Sequence, residues 1–291
     1  MRLALAQIDC RLGNLPANLA AHRAALAAVR DAGGAALALF PELSLTGYRL
    51  CANTHRAMLD DAQFRRFGAQ LAADDLLPPG MVCAVGYVEL SPRAALHNTT
   101  ALLSGPDAAP QFRHRKVYLP HDGIFEEARY LRAGDRVRTI DLPLGGVTWR
   151  VGVLCGEDAW HNAAWLMLQA RGVDLVLAPA ASPARGVAAE SPNSPQRWHS
   201  LLATQAALAG CYVAYVNRVG FEDEIHFPGG SALFAPDGDL VAHARQLDPD
   251  LVIAELDKAA ITRARLQAPL RADEPWDVTL RELQRALAER D

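Results

Sequence analysis

Hydrophobic and polar positions along this chain predict strands and helices in alternation. Continuous apolar runs, typical of strands buried on both faces, are separated by segments with the spacing of amphipathic helices. The predicted strands cover residues 2–9, 35–40, 81–88, 99–104, 137–141, 147–154, 173–178 and 211–216, and residues 250–256 pair back after a hairpin turn at 237–238. The predicted helices cover residues 16–30, 58–73, 161–171, 196–209 and 277–290. This pattern predicts a layered α/β fold with mixed sheets.

The stretch Trp149–Trp160 predicts a buried strand, a sharp turn and then a helix. Three apolar residues alternate on one face of that strand: Trp149, Val151 and Val153. Cys155 and Gly156 interrupt the strand, and the acidic pair at 157–158 suits the first turn of a helix. A cysteine at a helix N-terminus has a lowered thiol pKa and is a candidate nucleophile. A lone cysteine is more often a small buried hydrophobe, so both interpretations of Cys155 stay open.

Two charged residues stand beside apolar runs, where burial is costly unless the charge is paired or used. Glu42 follows the apolar run 35–40, separated from it by one proline. Lys116 closes a run of three basic residues at 114–116, a pattern that usually marks a solvated surface. Because a more apolar segment starts at Lys116, we expect its ammonium to point inward.

Composition and charge narrow the class of protein. The 291 residues are 51% hydrophobic, which is ample for a large core, and the net charge of −4 includes no block of like charge that would favour nucleic acid. Five cysteines without CxxC spacing predict a reduced, intracellular protein without structural zinc. The chain starts directly with a strand and lacks a run of about 18 apolar residues, so we expect no signal peptide and no membrane span. We therefore expect a cytoplasmic protein without a cofactor or bound metal.

Three motifs carry a resemblance to a known family: Phe-Pro-Glu-Leu at 40–43, Arg-Lys-Val-Tyr-Leu-Pro at 115–120 and Gly-Val-Leu-Cys-Gly-Glu-Asp at 152–158. Their order and spacing resemble the nitrilase superfamily of carbon–nitrogen hydrolases, from residue 1 to about 260. Further segments at 118–120, 124–127 and 157–160 look most like the glutamine-hydrolysing domain of NAD synthetases and its free-standing relatives. The ATP-binding half of those enzymes has no counterpart in this sequence.

The resemblance implies a four-layer α-β-β-α sandwich that cleaves a small-molecule amide through a thioester acyl-enzyme. It implies that Glu42 is the general base and that Lys116 steadies the tetrahedral intermediate. It also implies that Glu127, seven residues before Gly134, is a second site glutamate. We expect these three side chains to converge, with the ammonium about 3 Å from a carboxylate.

The same resemblance implies one domain over residues 1–265 and a C-terminal tail over residues 266–291. Three tail residues form a short apolar stripe: Trp276, Leu280 and Leu283. The stripe either packs on its own subunit or crosses to the partner of a homodimer or higher homo-oligomer. We expect the second arrangement, without a nucleic-acid or membrane partner.

The sequence departs from the family pattern at the nucleophile. Counting forward from Gly152 and back from Trp160 both put the family's cysteine position at Gly156, so Cys155 comes one residue early. A shift of one residue in a strand turns a side chain to the other face. Either the turn is rearranged so that Cys155 reaches the pocket, or the site has no thiol nucleophile. These two possibilities leave three candidate functions for the chain. It is an amidase, an acyl-transferring relative, or a non-catalytic homologue that binds a small ligand or a partner.

Other side chains are candidates for lining the pocket, although each is equally plausible as packing. They are Tyr48, Tyr118, His121, Phe125, Trp160, His161 and Arg185.

Overall fold

The computed structural model of the chain describes residues 1–105, 109–121, 125–184 and 193–289. Its strands are β1 Arg2–Gln7, β2 Leu37–Leu39, β3 Val82–Leu90, β4 Leu96–Ser104, β5 Ala109–Arg115, β6 Thr139–Leu144, β7 Val147–Val153, β8 Leu175–Ala180, β9 Tyr212–Asn217, β10 Val219–Glu222, β11 Ile225–Pro228, β12 Ala232–Phe234, β13 Leu240–His243 and β14 Asp250–Glu255. Its α-helices are α1 Leu15–Asp31, α2 Thr54–Ala57, α3 Asp61–Ala72, α4 Glu127–Tyr130, α5 Asn162–Ala170, α6 Asn193–Ala209, α7 Lys258–Gln267, α8 Leu270–Asp273 and α9 Trp276–Ala288. Short 3-10 helices cover Cys51–Asn53, Ala73–Asp75 and Gly156–Trp160.

Two mixed sheets, each of six described strands, form the centre of the fold. The first has the order β14-β1-β2-β3-β4-β5, in which β1, β2 and β3 are parallel. The second has the order β13-β12-β9-β8-β7-β6, in which β7, β8 and β9 are parallel. The remaining neighbours are antiparallel, and β10 and β11 form a separate hairpin. The predicted class, α/β with mixed sheets, is confirmed.

Helices cover the outer face of each sheet, and apolar side chains fill the space between the sheets. The inner layer includes Leu3, Leu39, Trp149, Val151, Val153 and Leu177. Helices α1 and α3 pack on the first sheet through Leu26, Val29, Phe64 and Phe67. Helices α5 and α6 pack on the second sheet through Trp165, Leu168, Trp198 and Leu202. This is the four-layer α-β-β-α sandwich that the resemblance implied.

Helix α1 shows how the local sequence sets an element and ties it to the loop after β2. The Asn14 side chain accepts a hydrogen bond from Ala17 N at 3.1 Å, which caps the helix start. The helix ends just before Gly33, whose φ of +91° favours glycine. His22 lies on the buried face, stacked on Phe40, and its Nε2 contacts Ser44 Oγ at 2.9 Å. Phe40 and Ser44 flank Glu42, so α1 supports the backbone that carries this carboxylate.

The structure differs from the sequence-based expectations in several places. Strand β5, the hairpin of β10 and β11, and helix α7 are not among the predicted elements. Residues 250–255 do pair back, but they pair with β1 in the first sheet rather than with the β12–β13 hairpin. Both faces of β14 are packed there. Val252 contacts the apolar core between the two sheets, and Ile253 contacts the core between the first sheet and its helices. The acidic pair after Gly156 lies in the first turn of a 3-10 helix rather than of an α-helix, and the helix predicted over 161–171 is α5.

The tail leaves an apolar stripe exposed. In helix α9, Leu280 is 58%, Leu283 is 53% and Leu287 is 60% exposed. These positions follow one another at helical spacing from Trp276, so they share one face. The tail therefore does not cover its stripe with its own chain. Across the ranges that the structure describes, no helix is long and apolar enough to cross a bilayer.

We expect the α9 stripe to drive self-association. The double variant Leu280→Glu/Leu283→Glu places two charges on the stripe and should shift the chain toward monomer, because burying each leucine contributes about 1.5–3 kcal/mol. Light scattering at micromolar concentration measures this shift. Val147→Glu, at a residue that is 49% exposed and lies in another part of the fold, is the control. An unmutated chain that is monomeric throughout would contradict the prediction.

Candidate functional site

The Lys116 ammonium lies between two carboxylates. Its Nζ is 2.7 Å from Glu42 Oε1 and 2.6 Å from Glu127 Oε1. The Lys116 and Glu42 side chains are each 2% exposed and that of Glu127 is 7% exposed. Glu42 follows β2, Lys116 follows β5 and Glu127 begins α4, so three separate elements bring the charges together.

Neutral donors hold Glu42 in addition to the ammonium. Asn98 Nδ2, on β4, donates to Glu42 Oε1 at 2.7 Å, and the backbone N–H of Ala181, just after β8, donates to Oε2 at 2.9 Å. Leu43, the next residue, has a φ of +49°, which is unusual for a non-glycine residue and common at functional sites. The carboxylate is thus oriented by both sheets.

Glu127 has its own donors. Tyr48 Oη donates to its Oε1 at 2.5 Å, and Asn98 Nδ2 lies 3.3 Å from its Oε2. The Tyr48 ring is held edge-on against Phe125 and Phe227. Its backbone N–H donates to Glu222. Tyr48, a predicted pocket residue, therefore contacts the charged group directly.

Burial and the close charges shift the proton affinities of these groups. Burial alone would lower the pKa of Lys116, but Glu127 and Glu42 raise it above its ordinary value, so the amine stays protonated. Burial raises the pKa of Glu127, and Glu42 raises it further against the opposing effect of Lys116. Burial, Glu127 and Glu42 also raise the pKa of Tyr48, which stays neutral.

Gly156 faces Glu42 at the elbow after β7. Its φ is +52°, in the left-handed region. A Cβ built on Gly156 would lie 2.6 Å from Glu42 Oε2 and 2.9 Å from Oε1. Any side chain at Gly156 would therefore project at the Glu42 carboxylate. The position that the family register gives to the nucleophile holds a glycine in this chain.

Cys155 lies beneath the charged cluster. It is fully buried, and its Sγ is 3.8 Å from Asn98 Oδ1. Burial raises the thiol pKa well above 9.0, and Glu42 raises it further, while Lys116 lowers it by less. Desolvation and the nearby Glu42 carboxylate therefore act against the thiolate form of Cys155 at the start of the short 3-10 helix.

Asp158, which the sequence suggested only as a helix-start residue, clamps the elbow to the end of β5. It is fully buried and accepts hydrogen bonds from Val117 N and Tyr118 N, each at 2.9 Å. It also accepts from Cys155 N at 3.2 Å, and His114 Nε2 lies 2.7 Å from its Oδ2. This clamp fixes the backbone on both sides of the site. Asn98 was not predicted as a site residue: it precedes the predicted strand at 99–104, and a polar residue at that position carries no signal of its partner.

The remaining pocket candidates are packing or surface residues, or lie outside the described residues. Trp160 is 42% exposed and packs edge-on against Trp198. His161 stacks on Tyr118 with ring centroids 3.7 Å apart. His121 is exposed. Arg185 lies outside the described residues. Among the residues that are described, no cluster of three or more histidine, cysteine or acidic side chains could hold a metal ion.

Comparison with known proteins identifies the family. The carbon-nitrogen hydrolase family model matches residues 2–266, so the chain belongs to that family. The chain is 30% identical over 233 residues to a glutamine-dependent NAD(+) synthetase from Xylella fastidiosa, which covers 80% of this chain. It spans only 40% of that relative's length.

Solved structures have the same fold. A glutamine-dependent NAD+ synthetase from Acinetobacter baumannii matches with a TM-score of 0.75 and 26% identity, over 89% of this chain and 46% of that one. The NitN amidase from Nesterenkonia sp. AN1 matches with a TM-score of 0.76 and 24% identity, over 97% of this chain and 99% of that one. The predicted membership of the nitrilase superfamily is confirmed.

Removing the ammonium should destabilise the fold strongly. Lys116→Met leaves two buried carboxylates without their cation, and breaking a buried ion pair in this way costs roughly 3–5 kcal/mol. Urea denaturation gives the free energy of unfolding. Arg281→Met, which removes an exposed ion pair with Asp277, is the control and should change stability by less than about 1 kcal/mol. Equal effects of the two substitutions would contradict the buried arrangement.

The raised pKa of Glu127 predicts a pH-dependent stability. Its ordinary value is 4.5, so above about pH 4.5 the folded chain keeps a proton on Glu127 that the unfolded chain has lost. This contribution is fully present below pH 4.5 and is lost as pH rises through the folded-state pKa. The free energy of unfolding of the unmutated chain, minus that of Glu127→Gln, should therefore fall as pH rises above 4.5 in urea titrations. A difference that rises or stays constant over this range would contradict the shift.

Proposed function

We propose that this chain binds a small amide in the pocket of Glu42, Lys116 and Glu127 and forms no thioester there. The observation that carries the proposal is the position of Gly156. The residue opposite the Glu42 carboxylate has no side chain, and the neighbouring thiol is fully buried.

The cost of the charged cluster supports a role in ligand binding. A buried ion pair or triad is often less stable than apolar residues of the same volume. Perturbed carboxylates grouped with a buried lysine are therefore candidates for a functional site rather than for stabilisation.

The chemistry of the donors and acceptors suits an amide. An amide carbonyl oxygen accepts from the Lys116 ammonium, while the amide N–H groups donate to a carboxylate oxygen of Glu42 or Glu127. The cluster has two acidic side chains and one basic side chain, so a neutral amide fits better than a free carboxylate, which would add a further negative charge.

A thioester on Cys155 is the competing function, either in amide hydrolysis or in acyl transfer. Its support is the 3.8 Å contact between Cys155 Sγ and Asn98, whose amide nitrogen contacts Glu42. In a mutant of the Nesterenkonia amidase, the acetamide moiety of fluoroacetamide is added covalently at the active-site cysteine. For Cys155 to act in this way, the sulfur would have to leave its buried position and lose a proton that its surroundings hold firmly.

Substitutions at the two neighbouring positions test the proposal. Gly156→Cys places a thiol against Glu42, and we expect it to gain a fluoroacetamide adduct that intact-mass measurement detects. Gly156→Ala adds the same Cβ without sulfur and is the matched control. Both should cost about 1–3 kcal/mol, because Glu42 must shift and a side chain enters the left-handed region.

Calorimetry with glutamine and acetamide measures binding by the unmutated chain and by Cys155→Ala. We expect both to bind an amide and neither to form an adduct. An adduct on the unmutated chain that Cys155→Ala removes would establish the thioester function instead. Binding of no amide by a folded chain would overturn the proposal.

A further inference from the structure

A second buried ion pair lies behind the loop that carries Tyr48. Arg218 directly precedes β10 and Glu222 ends it, and the two side chains are fully buried, with Arg218 Nη1 donating to Glu222 Oε1. Arg218 Nη2 also donates to the backbone oxygen of Cys10 at 2.6 Å, and the guanidinium lies 4.3 Å from the centre of the Phe227 ring. Because apolar side chains of the same volume often stabilise a core better than a buried ion pair does, this pair is a candidate for a role beyond stability.

Glu222 holds the backbone of the loop that carries Tyr48. Its Oε1 accepts from Tyr48 N at 2.9 Å and its Oε2 accepts from Arg49 N at 2.7 Å. Gly47 permits this close approach, since its φ is +78° and a Cβ there would lie 3.0 Å from Glu222 Oε1 and 2.7 Å from Leu12 Cα. Two successive backbone N–H groups on one carboxylate fix both the position and the direction of the chain at Tyr48.

The hairpin of β10 and β11 also holds the ring of Tyr48. Phe227, on β11, packs edge-on against this ring with centroids 6.3 Å apart, and it lies under the Arg218 guanidinium as well. At the end of the ring, Tyr48 Oη donates to Glu127 Oε1 at 2.5 Å, the oxygen that the ammonium of the charged cluster also contacts. A displacement of Arg218 or Glu222 would therefore move this hydroxyl relative to Glu127.

We propose that Arg218 and Glu222 are positioning residues of the candidate site. They act through Tyr48, whose hydroxyl they place on Glu127, and so they set the orientation of that carboxylate in the cluster. This inference rests on the proposed amide-binding function, because it concerns how Glu127 is presented to the ligand. The titratable groups around Glu127 include Lys116, Glu42, Tyr48 and Cys155.

The arrangement predicts the sign of a change in the pKa of Glu127. Burial raises this pKa, Lys116 lowers it and Glu42 raises it. The Tyr48 hydroxyl also lowers it, because a donor favours the charged form of a carboxylate, so loss of this hydrogen bond raises the pKa. Removing the negative charge of Glu222 has the opposite direct effect on Glu127. The two ways in which Glu222 could act on the site therefore differ in sign.

The test follows proton binding by Glu127 with NMR of carbon-labelled glutamate carboxyl groups, in which the Glu127 signal is assigned by its loss in Glu127→Gln. We expect Tyr48→Phe, which removes only the hydroxyl, to raise the pKa of Glu127. Glu222→Gln should raise it too, but not further when it is added to Tyr48→Phe. Glu222→Asp keeps a negative charge for Arg218 and is one methylene too short for both backbone N–H groups. It should act in the same direction, and it remains folded if Glu222→Gln does not.

Asp174→Asn is the matched control. Asp174 accepts from a backbone N–H at 2.9 Å and from the Lys258 ammonium at 2.7 Å, so it combines a backbone donor and a cation as Glu222 does. It precedes β8, whereas the donor to Glu42 at Ala181 follows that strand. We expect urea denaturation to show a loss of stability for Asp174→Asn without a change in the pKa of Glu127. An equal rise of this pKa in the control would overturn the proposal, because general loosening would then explain both.

The other outcomes separate failure of this inference from failure of the proposed function. A Glu127 pKa that falls or stays constant in a folded Glu222 variant would overturn the positioning role. Calorimetry with acetamide should show binding about tenfold weaker in Glu222→Gln and in Tyr48→Phe, as for the loss of one hydrogen bond to a charged group. Unchanged affinity in both variants would also overturn the positioning role. If the unmutated chain binds no amide, the proposed function fails, and the NMR titration still decides whether Glu222 positions Tyr48.

Discussion

The buried Lys116 ammonium between Glu42 and Glu127 is the interaction on which the rest of the site depends. Two carboxylates cannot both stay charged at this depth without it, because each would be desolvated beside a like charge. The surrounding structure holds the three groups from several directions. Asn98 contacts both glutamates, Ala181 N fixes Glu42, and Tyr48 fixes Glu127.

The two sheets meet at this ion cluster. Glu42, Asn98 and Lys116 belong to strands of the first sheet or directly follow them, whereas Gly156 and Ala181 follow strands of the second sheet. Asp158 bridges the sheets, since it accepts from the backbone after β5 and from the backbone after β7. The geometry of the pocket therefore depends on how the whole sandwich packs.

The two neighbouring positions at the elbow, Cys155 and Gly156, lie differently with respect to the Glu42 carboxylate. A side chain at Gly156 would point toward the Glu42 carboxylate, whereas the sulfur of Cys155, one residue earlier, contacts Asn98. The acid–base groups are present in either case. What differs is whether a thiol faces the Glu42 carboxylate, and this separates a covalent route from the amide binding that we propose.

Sequence reasoning located the charged groups and the elbow. A carboxylate after a buried run and a lysine before an apolar segment signalled Glu42 and Lys116, and two independent anchors placed the nucleophile register at Gly156. The alternation of strands and helices with hairpins between them indicated a layered α/β fold with mixed sheets. The four-layer sandwich was implied by the family resemblance that the motifs carry.

Other features were decided by tertiary structure alone. Two of the partners of Glu42, Asn98 and Ala181, are 56 and 139 residues away in sequence, and the contact between Asp158 and His114 spans 44 residues. The pairing of β14 with β1 likewise joins the two ends of the domain. The buried state of the Cys155 thiol also depends on these contacts. The residue types and their spacing were determined by the sequence, but desolvation and hydrogen-bond partners exist only once distant strands have packed.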